Sequence, residues 1–234
     1  MIPWLEPTDP FPPVDTALDE PNGLLAAGAD LSPERLLDGY RRGIFAWFND
    51  DDPVLWWSPD PRMVLVPGAF RLTRSLRKVI RSGTFQVTLD RAFGSVIAGC
   101  AAPREGQPGT WITSDMARAY VHLARLGFAH SVEVWAGDTL VGGLYGVAVG
   151  RMFYGESMFS RASNASKVAL AYLSRQLERW EFPLIDCQLP TPHLESLGAT
   201  PMARETFVAR VQEAVSRPDV PAPWQFDADV MVDL

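Results

Sequence analysis

The chain has 234 residues, 47% of them hydrophobic, with 8 Trp and a formal net charge of −7. That is enough apolar material for one large domain or two small ones, and the acidic balance excludes a generally basic nucleic-acid binder while leaving local basic patches open. Cys100 and Cys187 lie far apart and His122, His130 and His193 are scattered, so neither a disulfide framework nor a zinc site is expected and a reduced, cytoplasmic setting is. No basic-then-apolar leader opens the sequence and no run of about eighteen apolar residues occurs, so we expect a soluble protein with no membrane span.

Residues 1–31 hold six prolines and predict an irregular segment with little helix, anchored by Trp4, Phe11, Leu24 and Leu25. Ser32-Pro33 then marks a helix start, with Ser as cap and Pro in the first turn. Leu36, Leu37 and Tyr40 supply its apolar face, and Gly43 ends it. The stretch IFAWFNDDDPVLWWSPDPR, 44–62, is dense in aromatics broken by Asp and Pro. Such a cluster forms a small core or lines a pocket. A domain boundary is expected near Pro61, giving domains 1–61 and 62–234.

Next comes RLTRSLRKVIR, 71–81. Arg71, Arg74, Lys78 and Arg81 fall at spacings of three and four, with Arg77 close by, and Leu72, Leu76, Val79 and Ile80 form the opposite stripe. An amphipathic helix is predicted over 71–81, closed by Ser82-Gly83. A solvated face usually mixes signs, and no acid interrupts this one, so it reads as a phosphate-binding surface without sequence readout. A short strand is expected at Phe85–Leu89, a short helix at Phe93–Ala101 and a polar loop at Ala102–Gly109. A helix capped by Thr113 or Ser114 follows, closed by Gly127, with Met116, Tyr120, Leu123 and Ala124 inward. Nothing pairs with His122 or His130, which read as surface or satisfied core groups. Ser131–Ala136 and Thr139–Val149 read as paired strands around a Gly137-Asp138 turn. After residue 189 we expect a Pro-bounded loop carrying His193, a helix near Arg204–Ser216 and a Pro-rich acidic tail.

The stretch between, 150–189, organises the rest. Met152–Met158 is strand-like, Ser160–Ser163 is a polar loop, and Asn164 can cap the helix that follows. That helix is apolar over a wide arc (Val168, Leu170, Ala171, Leu173, Leu177, Trp180) and is expected to be mostly buried. Pro183 stops it, and Leu184–Leu189 is a strand. Alternation sends Ile185, Cys187 and Leu189 one way and Leu184, Asp186 and Gln188 the other. Two polar groups on one strand face, with Glu156 on the preceding strand as a third, either face solvent or form a site. The apolar setting favours a site.

The order strand, helix, antiparallel strands, helix, strand resembles an acyltransferase of the GNAT type. Those enzymes bind the coenzyme A pyrophosphate on a Gly-rich turn, R/Q-x-x-G-x-G/A, at a helix start. The equivalent turn here, SRASNASKVAL (160–170), has no Gly. A CoA-dependent N-acetyltransferase is therefore the alternative reading, and aminoacyl-tRNA is the better match as acyl donor beside a basic helix. A non-catalytic RNA-binding module is a third, disfavoured by Glu156, Asp186 and Gln188 among apolar residues.

Longer strings sharpen this. EPNGLLAAGADLSPERLLDGYRRGIFAWF, WWSPDPR, GTWIT, HSVEVW, LVGGLYGVAVG, GESMFS, NASK, LIDCQ and SLGA occur in that order over essentially the whole chain. In these the chain resembles the bacterial leucyl/phenylalanyl-tRNA–protein transferase family. The resemblance implies an α+β fold, with a small N-terminal domain and a GNAT-like C-terminal domain whose central mixed β-sheet is flanked by helices. It implies no metal and no bound cofactor. It implies transfer of Leu or Phe from charged tRNA to proteins beginning with Arg or Lys, which then enter N-terminal-rule degradation. A monomer is expected.

Carried onto matching positions, the catalytic residues are Asp186 and Gln188 in IDCQ, with Glu156 in GESMFS close by. The aminoacyl side-chain pocket involves Trp47, Trp111, Phe153 and Gly155, with Leu144, Leu173 and Leu177 as softer positions. Phosphate contacts to tRNA fall to Arg71, Arg74, Arg77, Lys78 and Arg81.

Overall fold

In the computed structural model, residues 2–103 and 111–231 are described; most of the expected 102–109 loop lies outside them. The Pro-rich start is not wholly irregular. It forms strand β1 (Trp4–Leu5), a short 3₁₀ turn at Val14–Thr16 and strand β2 (Leu24–Gly28). Helix α1 (Pro33–Arg41) follows, its first turn capped by Ser32 Oγ accepting from Arg35 N, and Gly43 beyond it takes φ 75°. The aromatic stretch supplies β3 (Phe45–Ala46) and β4 (Leu55–Trp57), completing a four-stranded sheet in the order β1-β2-β4-β3.

The larger sheet begins at β5 (Arg62–Leu65), buried along its whole length. Helix α2 (Arg74–Arg81) starts three residues later than predicted, because Thr73 Oγ1 caps it by accepting from Leu76 N; Arg71 lies outside the helix. Then come β6 (Gln86–Leu89), α3 (Phe93–Ala101), α4 (Ser114–Arg125, capped by Thr113), β7 (Ala129–Ala136), β8 (Thr139–Val149) and β9 (Met152–Ser160). Helix α5 (Ala165–Arg179) crosses over to β10 (Leu184–Gln188), followed by α6 (Pro192–Ser196), β11 (Thr200–Met202) and α7 (Arg204–Val215). Asn164 precedes α5 with φ 69° and makes no side-chain cap; Ser160 Oγ accepts from Ser166 N instead.

The seven strands lie in the order β11-β5-β10-β9-β8-β7-β6. Every neighbouring pair is antiparallel except β9 and β10, which run parallel because α5 connects them as a crossover. Helix α5 packs on one face, over β7 and β8, and α3, α4, α1 and α7 cover the other. This is the expected α+β class with a mixed sheet flanked by helices. The smaller sheet ends at Trp57 and the larger begins at Arg62, on either side of the boundary expected near Pro61. One hydrophobic core nevertheless runs across that point, joining Leu5, Tyr40 and Trp56 to Tyr120, Tyr145 and Phe207; a second fills the α5 side around Leu173, Leu177 and Trp224.

Candidate active site

The parallel strands β9 and β10 pair only from Leu184↔Met152 to Asp186↔Tyr154. Beyond those residues they part. The pairing of β10 with β5 shifts between Asp186 and Gln188, and Gln188 takes φ 60°, rare for a side-chain-bearing residue. The opening holds a pocket of about 270 Å³. Leu144, Phe153, Leu170, Leu173, Ile185 and Leu194 give it apolar walls; Glu156, Ser157, Gln188, Thr191 and His193 supply polar groups.

Glu156 is buried at the meeting point of three donors. Tyr40 Oη donates to Oε1 at 2.7 Å, Tyr120 Oη to Oε2 at 2.7 Å, and Gln188 Nε2 to Oε1 at 3.1 Å. The two tyrosine hydroxyls are 2.9 Å apart. Burial raises the Glu156 pKa to about 7, the tyrosine bonds oppose that rise, and the nearby Asp186 charge adds to it. Burial, then the Glu156 charge, pushes Tyr40 and Tyr120 well above the ordinary phenol value, so both stay donors. Cys187 also lines the pocket, but burial drives its thiol far up, which leaves no thiolate for covalent catalysis at neutral pH.

Asp186 is fully buried and engaged at both oxygens. Arg62 Nε donates to Oδ1 at 2.8 Å and Nη2 to Oδ2 at 2.7 Å, while Nη1 reaches the Gly43 carbonyl at 3.0 Å. Oδ1 accepts in addition from Gln188 N at 2.9 Å. The expected shared strand face of Asp186 and Gln188 is thus replaced by a bulge. Asp186 turns into the core toward Arg62, and Gln188 turns toward Glu156.

Residues 64–212 match the family described as leucyl/phenylalanyl-tRNA protein transferase, and residues 29–60 match that family's N-terminal domain. A leucyl/phenylalanyl-tRNA–protein transferase from Thiobacillus denitrificans is 62% identical over 218 residues, covering 93% of this chain and 96% of that protein. Proteins of the same name from Nitrosospira multiformis and Azoarcus sp. are 57% identical (97% of this chain, 98% of the relative) and 58% identical (96% and 95%). The chain belongs to the leucyl/phenylalanyl-tRNA protein transferase family. The alternative reading as a CoA-dependent acetyltransferase is not favoured. Among solved structures, a GCN5-related N-acetyltransferase from Kribbella flavida covers 73% of this chain and 61% of its own at 12% identity and a TM-score of 0.36, too distant to carry an argument.

In this family member the structure brings Glu156, Asp186 and Gln188 together, and it places Leu144, Phe153, Gly155 and Leu173 on the pocket wall. Three further expected pocket residues do not line it. Trp47 is 39% exposed and meets Trp57 edge-on at 5.6 Å. Trp111 is half-buried against the core shared with the smaller sheet, and Leu177 is sealed beneath α5. Arg74, Arg77, Lys78 and Arg81 are exposed on α2, and Arg71 is exposed just before it. None of the five is ion-paired among the described residues. His122 is exposed and His130 is buried against Asp90, at 2.7 Å from Nδ1 to Oδ2. Sequence reasoning missed Tyr40 and Tyr120, whose helical spacing reads as core, and Arg62. The signal for Arg62 was an arginine opening a strand otherwise apolar, RMVL. Among the described residues no group of three or more His, Cys, Asp or Glu side chains is arranged to hold a metal, and no helix is long and apolar enough to cross a membrane.

Proposed function

We propose that this protein moves Leu or Phe from charged tRNA to the α-amine of proteins beginning with Arg or Lys, marking them for N-terminal-rule degradation. The observation that carries the reading is an apolar pocket ending at a buried carboxylate and a side-chain amide, Glu156 and Gln188. The donor is an ester that is already activated. The amine nitrogen attacks its carbonyl carbon, the acyl C–O bond to the tRNA ribose breaks, and the ribose oxygen leaves as an alcohol, taking up the proton that the amine gives to Glu156. The amine must be neutral to attack, and its reference pKa of about 7.7–8.0 asks for only a modest push. Glu156, with a pKa of about 7, is poised to take that proton near neutral pH. Because Gln188 commits Nε2 to Glu156, its Oε1 is left to accept from the incoming amine. Much of the rate comes from holding the two substrates together.

Asp186, expected among the catalytic residues, is given no direct part in the chemistry. Its carboxylate is paired with Arg62 and shut from solvent, so we give both proton transfer and attraction of the acceptor's cationic side chain to Glu156. Leu and Phe are unbranched at Cβ; walls of Phe153, Leu170 and Leu173 favour them over Ile and Val by shape, at about 1–3 kcal/mol per methylene. The tRNA backbone lies against the unpaired cations of α2. Catalysis takes place in the cytoplasm, by a monomer.

The test uses purified protein, a peptide beginning with Arg, and either radiolabelled Leu-tRNA or acetyl-CoA. Label passing from Leu-tRNA to this peptide, and not to the same peptide beginning with Gly, is the expected result. Acetyl transfer in its place overturns the reading.

A further inference from the structure

Arg62 is a larger commitment than one ion pair. Its guanidinium uses Nε and Nη2 on Asp186 and Nη1 on the Gly43 carbonyl, is shut from solvent, and packs against the Phe45 and Phe207 rings, with Cζ 4.7 and 4.6 Å from their centroids. Two packed rings and three hydrogen bonds hold the planar fork in place. Asp186 is fixed in turn, and its Oδ1 holds the backbone N–H of Gln188. That bond is made where Gln188 adopts φ 60°, a conformation needing outside support. The third guanidinium bond ends on Gly43, whose N–H donates to the carbonyl of Tyr40. One cation therefore joins two of the three segments that deliver donors to Glu156: the end of α1, which carries Tyr40, and the bulge of β10, which carries Gln188.

We propose that Arg62 is a positioning residue for the transfer reaction, setting Gln188 against the reacting amine through Asp186. The proposal rests on the reading of Glu156 and Gln188 as the reaction centre. The alternative is a pair that merely stabilises the fold. Buried ion pairs are often replaceable by apolar side chains of similar volume without loss of stability, and β5 and β10 are already held by ladder bonds and a shared core. What an apolar pair does not reproduce is the acceptor at Gln188 N–H.

The experiment compares kcat, donor KM and thermal unfolding for the wild type, Arg62→Met/Asp186→Leu, Gln188→Ala and the triple variant. The expected double variant unfolds cooperatively, keeps its donor KM within about twofold, and loses roughly a hundredfold in kcat, the cost of a misplaced group. The triple variant is expected to be no more than about twofold slower than Gln188→Ala, because both changes remove one function. Arg62→Lys, which keeps the charge and loses the fork, serves if the double variant does not fold; it is expected to lose at least about tenfold in kcat. Wild-type kcat in either Arg62 variant overturns the proposal, as does a triple variant in which the separate losses multiply. If Gln188→Ala alone leaves kcat unchanged, the reaction-centre reading fails first. If only the Arg62 variants are fully active, that reading stands and the Arg62 role falls.

Discussion

Gln188 Nε2 and Glu156 Oε1 meet at 3.1 Å, each two residues beyond the last position at which β9 and β10 pair with one another, Asp186 on β10 and Tyr154 on β9. The site is therefore a product of unpairing. Backbone groups that would have closed a ladder are replaced by two side chains facing one another across an opening, with apolar walls on the α5 side and tyrosines on the other.

The buried Glu156 makes stability depend on pH. Its pKa is raised from 4.5 to about 7, so between those values the folded protein holds a proton that the unfolded chain has released. The contribution is present below that window and is lost as pH rises through it. Urea unfolding should show the wild type about 1.4 kcal/mol less stable at pH 8 than at pH 6 from this group alone. Glu156→Gln should lose that difference; an unchanged difference would place its origin elsewhere.

Tyr40→Phe and Tyr120→Phe each remove one donor from the carboxylate. Both bonds favour the charged form, so either change should move the pH midpoint of kcat upward, by roughly one unit for a charge-assisted bond. A midpoint that stays in place would show that the hydroxyls do not tune Glu156.

Leu173 and Leu177 offer a matched pair. Both are buried on α5, at 1% and 0% exposure, but only Leu173 reaches the pocket. Replacing either by Ala should cost about 2–5 kcal/mol in unfolding free energy. Only Leu173→Ala should alter the Leu-to-Phe donor ratio, by roughly tenfold or more. Equal effects on that ratio would mean that the pocket extends further beneath α5.

The cations of α2 should act through charge. Arg77→Ala and Lys78→Ala should weaken binding of charged tRNA and flatten its salt dependence, by roughly 0.7–0.9 in log–log slope for each phosphate that is no longer neutralised. Salt-independent binding by the wild type would rule out this surface.

Much of this was legible in the sequence, for identifiable reasons. The 152–189 unit showed itself because a long apolar helix between two strands leaves periodic marks, and β10 was displaced by one residue at its end. The smaller sheet stayed hidden: strands such as Trp4–Leu5 and Phe45–Ala46 are too short to show alternation and exist because partners pair with them. Alternation also misplaced Gln188, since a bulge and a positive φ break the period of two without a Gly or Pro to announce it. The family resemblance assigns Trp47 to the pocket, whereas in the fold its ring lies against Trp57. The tyrosines at 40 and 120 look the same in sequence whether their hydroxyls end in apolar core or on a carboxylate.

Transfer of the attacking amine's proton to Glu156 is read most directly from the pH dependence of single-turnover transfer from Leu-tRNA to an Arg-initial peptide. The wild-type rate should climb as pH rises through about 7, and Glu156→Gln should be slow and lack that inflection. The same inflection in Glu156→Gln would exclude Glu156 as the base and assign the proton to another group.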